Sequence, residues 1–141
     1  MIHEKSFGSH HPKVAIDLNN LGVLLNDTNR SEEAEPIMRR ALAIDEKSFG
    51  PDHPRIALRL CNLARLLKNK NRLEEVEPLL RRRLEIFLKL TYATGNRHPS
   101  LDAALEGYDD LLEAMGQSYD QILAQLDVIC KPYGIQSYKC S

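Results

Sequence analysis

The sequence predicts an all-α solenoid of three helical hairpins, and three observations carry that reading. The segment His3-Glu4-Lys5-Ser6-Phe7-Gly8 with His11-Pro12 returns as Asp45-Glu46-Lys47-Ser48-Phe49-Gly50 with His53-Pro54, so the chain repeats with a period of 42 residues, His11 to His53. Self-similarity at such a spacing marks stacked copies of one small unit. Within each copy apolar residues recur at intervals of three and four, which gathers them on one helix face. Each copy also holds two such patterns divided by a short polar break, the mark of a helical hairpin.

In the first copy Ala15, Leu18, Leu21, Gly22 and Leu25 predict a helix from about Pro12 to Asp27, ended by Asn26-Asp27-Thr28-Asn29. A second helix begins near Ser31-Glu32-Glu33, where acidic residues suit the positive end of the helix dipole, and stops at Ser48-Phe49-Gly50. The second copy repeats this with Leu60, Leu63, Ala64 and Leu67, a break at Lys68-Asn69-Lys70-Asn71, then Val76, Leu79, Leu80, Leu84, Ile86 and Phe87. The third begins at His98-Pro99, so three residues have entered around Thr91 to Asn96. Its first helix carries Leu101, Leu105, Tyr108, Leu111, Leu112 and Met115, and its second carries Ile122, Leu126 and Ile129 after Gly116-Gln117-Ser118. Lys131-Pro132-Tyr133-Gly134 stops the last helix. The expected organisation is one solenoid domain over 1–141: a leading partial helix at 1–10, which matches the tail of a second helix, repeats at 11–50 and 51–95, a degenerate repeat or cap at 96–130, and a tail at 131–141. The opening in mid-repeat reads as a piece of a longer array that ends at the cap.

Composition narrows the function. A chain of 141 residues with 43 % hydrophobic and 28 % charged residues fits one ordinary folded domain. Nineteen Lys and Arg against twenty Asp and Glu leave a net charge of −1, far from the basic balance of a general nucleic-acid binder. Nothing approaches the roughly 20 consecutive apolar residues of a membrane span, and Met1-Ile2-His3-Glu4-Lys5 lacks the apolar core of a secretory signal. The expected setting is cytoplasmic, with no membrane or nucleic-acid partner. Cys61, Cys130 and Cys140 form no Cys-x-x-Cys pair, so reduced thiols are expected rather than a disulfide framework or a zinc knuckle.

The spacing of large and small residues then points to a family. Leu18-x-x-Leu21-Gly22-x-x-Leu25 with Ala34-x-x-x-Met38 and Ala41, and Leu60-x-x-Leu63-Ala64-x-x-Leu67 with Val76-x-x-x-Leu80, resemble the tetratricopeptide pattern W-x-x-L-G-x-x-Y followed by A-x-x-x-F. The usual repeat is about 34 residues; here the surplus lies in a longer second helix and a Phe-Gly-x-x-His-Pro connector. That combination, with Leu18-Asn19-Asn20-Leu21-Gly22 and Glu33-Ala34-Glu35-Pro36, resembles the tetratricopeptide arrays of kinesin light chains and their bacterial relatives. The likeness is strong from Ile2 to about Ile86 and weak from His98 to Cys130. It implies a right-handed superhelix whose first helices line a concave groove for a protein or peptide, without cofactor or catalysis. Three positions depart from the pattern: Arg83 stands for Ala41, Asp109 for Gly22 and Ala64, and Ser118 reads as an insertion before Tyr119.

By that resemblance Asn20 and Asn62, equivalent on the two first helices, form a groove ladder, with Asn19 and Cys61 beside them. A carboxamide both donates and accepts, so such a ladder can hold an extended backbone irrespective of its side chains. Val23, Asn26 and Asp27, and Arg65, Lys68 and Asn69, one turn along, would tune specificity. In the third copy Gly107 stands where the asparagine should be, among Glu106, Asp110 and Glu113. The plainer alternative is that the asparagines bridge neighbouring repeats.

Other chemistry is poorly supplied. Equivalent histidines of the three His-Pro pairs stand about 10 Å apart in a helical stack, too far to share a metal, and proline in a first turn explains them as helix starts. Adjacent carboxylates such as Glu32-Glu33, Glu74-Glu75 and Asp109-Asp110 diverge by about 100° on a helix and cannot work as a pair. Arg39-Arg40 and Arg81-Arg82-Arg83 follow Glu32, Glu33, Glu35, Glu74, Glu75 and Glu77 by about a turn, the order that favours ion pairs along one helix. No phosphate loop or nucleophile elbow appears. The expectation is a non-enzymatic binding scaffold with no metal and no cofactor; the alternatives are a self-associating structural segment, or a regulatory module of a larger signalling protein.

Overall fold

A computed structural model describes residues 11–136; the expected partial helix at 1–10 and Cys140 lie outside them. Every regular element among the described residues is helical: α1 Pro12–Asp27, α2 Ser31–Phe49, α3 Pro54–Asn69, α4 Leu73–Thr94, α5 Leu101–Ala114 and α6 Tyr119–Cys130, then a 3-10 turn at Lys131–Tyr133. They fall into two compact units, one ending at Arg72 and one starting at Leu73.

The first unit comprises α1, α2 and α3. His11 and His53 cap α1 and α3: each sits in extended backbone, and its Nδ1 accepts the backbone N–H of Lys13 or Arg55 at 3.1 Å. Pro12 and Pro54 occupy the first helical position, where a missing N–H leaves no acceptor unanswered. After α1 the chain turns through Asn29 at φ 63°, with Arg30 N–H donating to the Leu25 carbonyl at 2.8 Å. The turn after α3 is built the same way, with Asn71 at φ 58° and Arg72 N–H on the Leu67 carbonyl at 3.0 Å. These are Schellman stops, and asparagine is the commonest substitute for glycine there. Val14, Ala15, Leu18, Ala41 and Ile44 form the core between α1 and α2. Gly22 permits the close approach: a Cβ added there would lie 2.6 Å from Met38 Cγ. Leu21, expected to pack like Leu63, is instead 36 % exposed while Leu63 is fully buried.

The second unit comprises α4, α5, α6 and the 3-10 turn. The three residues gained before His98 do not loop out; they lengthen a helix, since α4 has 22 residues and α2 has 19. Thr91 thereby takes the place of Phe49, is buried, and its Oγ1 accepts the His98 N–H at 2.9 Å. The aromatic partner moves back one turn: Phe87 stacks on His98 at 4.7 Å, as Phe49 stacks on His53 at 4.8 Å. The third His-Pro pair therefore does not open its helix directly. His98 Nδ1 accepts the Ser100 N–H at 3.0 Å, and α5 begins only at Leu101. Arg83 covers Gly107, its Nη1 3.0 Å from where a Cβ would stand, so the large residue on α4 and the missing side chain on α5 answer each other. Ser118 is no bare insertion: with Gln121 it forms the capping box of α6.

Candidate functional site

In the first unit the first helices of the two repeats, α1 and α3, are joined by their amides. Asn62 Nδ2 donates to Asn19 Oδ1 at 3.2 Å, and Asn62 Oδ1 accepts from Arg65 Nη2 at 3.3 Å. Asn19 is only 7 % exposed. The periodic mate of Asn62 is Asn20, yet Asn20 is exposed. A step of one residue turns a side chain by about 100° around a helix, which directs Asn19 to the neighbouring helix and Asn20 to solvent. Of the remaining expected positions, Val23, Asn26 and Cys61 are half-buried, whereas Asp27, Arg65, Lys68 and Asn69 are exposed. Cys61, the periodic counterpart of Asn19, is a free thiol. Arg65 is exposed beyond its hydrogen bond to Asn62.

Two ionic features of this unit escape periodicity. Asp45 on α2 and Arg59 on α3 pair at 2.7 Å with side-chain exposures of 0 % and 6 %, and Arg55 adds its guanidinium 3.9 Å from the second oxygen while stacking over Phe49. Glu35, expected to pair along its own helix, is a hub that also draws residues from beyond α3: Lys70 at 2.9 Å, Arg39 at 3.0 Å and Arg72 converge on it. The Arg72 hydrogen bond above all, helped by Lys70 and Arg39, holds its carboxyl down at about 2. The expected pairing of acid first and base four residues later is present in Glu35–Arg39 and Glu77–Arg81.

The second unit has a polar chain of its own. Gln125 Nε2 donates to the Tyr108 hydroxyl at 2.9 Å, and that hydroxyl donates to Glu77. Burial, reinforced by the Glu77 carboxylate, pushes the phenol up to about 12. Among the described residues no cluster of His, Cys, Asp and Glu could hold a metal ion, and no helix is long and apolar enough to cross a membrane.

Hairpins with these interlocking positions define a class, the helical repeat proteins. The chain belongs to the tetratricopeptide repeat family, which matches residues 2–47 and 25–89. Among solved structures it is similar to a kinesin light chain-type protein of Podosopora anserina with nearly identical TPR-like repeats: the TM-score is 0.72 at 22 % identity, over 90 % of this chain and 58 % of that one. A variant of the same protein gives 0.71 at 22 % identity with the same coverage. This chain thus spans somewhat over half the length of the solved proteins it matches. No curated protein matches it.

Proposed function

We propose that this chain is a binding scaffold that holds an extended peptide of a partner protein along the face where α1 and α3 meet. Tetratricopeptide folds mediate protein–protein contacts as a class, and the reading here rests chiefly on the exposed Asn20 amide, next in the chain to Asn19; the hydrogen bond between Asn62 and Asn19 alone is what repeat bridging also expects. That bond fixes two carboxamides across neighbouring helices. One hydrogen of Asn62 is spent on Asn19, which leaves the second, and the whole amide of Asn20, for a peptide backbone. Arg65 and Lys68 on one side and Asp27 on the other then select among sequences. The test uses peptides selected against the protein from a random display library. Asn20→Ala with Asn62→Ala should leave helicity and melting nearly unchanged and abolish capture. A fall in stability with undiminished capture would assign the asparagines to packing instead.

One observation favours a second reading, self-association. Leu21 and Leu24 on α1 are 36 % and 59 % exposed, while their counterparts Leu63 and Leu66 are fully buried. Light scattering over a wide concentration range decides it, because a constant monomer mass eliminates the idea.

A further inference from the structure

The last helix is the least secured element of the second unit. It packs on α5 and buries Ile122, Leu126 and Cys130. Counting Ser118 as one added residue, these three stand where α2 has Ala34, Met38 and Leu42. There α6 stops, at Cys130 and after 12 residues, whereas α2 runs on to bury Ile44 and Asp45, and α4 to bury Ile86, Phe87 and Leu88. One short apolar stripe therefore holds α6, and a helix of this length is marginal in water without such contact.

The surroundings of that stripe weaken it further. At the position of Gly22, where a Cβ would lie 2.6 Å from Met38 Cγ, α5 carries the whole side chain of Asp109, so the close approach of α1 to α2 is closed to α5 and α6. On its other flank α6 is not packed tight: a pocket of about 540 Å³ opens there, lined by Arg81 of α4 and by Ala124, Val128 and Ile129 of α6. Such open space forfeits the dispersion contacts of a filled interior. The bond from Gln125 Nε2 to the Tyr108 hydroxyl, 2.9 Å, is one that water replaces at small net cost. Gln117, in the turn before α6, keeps a buried Oε1 without a hydrogen-bond partner, and release of α6 lets water reach it. We infer that α6 is a cap that opens on its own: it leaves α5 and unfolds while α4 and α5 stay folded, so the second unit has an apolar end that is covered and uncovered in solution. Openings of this kind lie between zero and the free energy of global unfolding. The inference goes beyond the peptide site and is independent of the asparagines of the first unit.

Cys130 supplies the probe, a buried free thiol at the end of α6. In the full chain carrying Cys61→Ser and Cys140→Ser, its reaction with an aromatic disulfide reagent is timed at urea concentrations below the unfolding transition, beside hydrogen exchange of the backbone amides. Labelling through global unfolding would accelerate about tenfold or more per molar urea, whereas opening of α6 alone exposes far less surface and should raise the rate by less than about threefold. Amides from Ile122 to Cys130 should exchange through the same shallow opening, about a hundredfold or more faster than those from Leu84 to Leu88 in α4 once intrinsic rates are corrected. Gln125→Ala, which removes the bond to Tyr108, should speed Cys130 labelling about fivefold and leave exchange at Leu84 to Leu88 unchanged. Labelling of Cys130 with the urea dependence of global unfolding overturns the inference. So does joint exchange of the α4 and α6 amides, or a Gln125→Ala protein in which both helices accelerate alike.

Discussion

Arg59 Nε lies 2.7 Å from Asp45 Oδ2, buried where α2 meets α3, and in the next repeat the positions 42 and 45 residues on are Phe87 and Ala104, both buried. The same place in the array is thus ionic in one unit and apolar in the other. A buried pair gains little over an apolar filling of similar size, but losing one partner strands a charge, at about 3 to 5 kcal/mol. Asp45→Ala should therefore cost that much in urea unfolding. The double change Asp45→Phe with Arg59→Ala, which copies the second unit, should recover most of it.

Helix ends were the most legible part of the sequence, because they are set by local chemistry. His11-Pro12, His53-Pro54, Asn29 and Asn71 each do in the structure what their residue types dictate within a few positions. What periodicity missed depends on contacts distant along the chain. Asp45 stands out in the sequence only as part of the repeated segment, because nothing local announces a partner 14 residues away, Arg59. The period makes Asn20 the equivalent of Asn62, yet the hydrogen bond runs from Asn62 to Asn19, because the period fixes which positions are equivalent, not how a helix is rotated against its neighbour. The three-residue insertion was located but not its form, since Tyr92-Ala93-Thr94 extend a helix as readily as a loop.

The two helical glycines off the turns predict opposite outcomes. Alanine favours a helix over glycine by about 1 kcal/mol. At Gly22 the new methyl meets Met38 Cγ at 2.6 Å in a packed core, where overfilling costs about 1 to 3 kcal/mol. At Gly107 it meets only the movable end of Arg83, at 3.0 Å. Gly22→Ala should lower the melting temperature and Gly107→Ala should raise it. Equal shifts in both would contradict the close packing assigned to Gly22.

The connector histidines act as caps, so their value should survive in another capping residue. His53→Ala removes the acceptor for the Arg55 N–H and the ring stacked on Phe49, and should cost about 0.5 to 2 kcal/mol. His53→Asn, which can accept the same N–H, should cost clearly less. Thermal melts of both variants settle the comparison: identical losses would move the role of His53 from capping to ring stacking.

Glu35 gives the first unit an acid limit. Its carboxyl is held at about 2 in the folded protein, first by the Arg72 hydrogen bond and then by Lys70 and Arg39, against about 4.3 in an unfolded chain. The unfolded state therefore binds this proton first as pH falls. The contribution of Glu35 is complete above about pH 4.5 and drains away toward pH 2. Denaturant midpoints measured between pH 2 and pH 6 should show Glu35→Gln less stable at pH 6 and close to the unmodified protein at pH 2, the two curves converging as the acid limit is approached. Parallel curves across that interval would mean that the Lys70, Arg72 and Arg39 contacts contribute nothing to stability. Because Arg39 is an i+4 partner on the same helix while Arg72 follows α3, Arg72→Ala should reproduce more of the loss than Arg39→Ala.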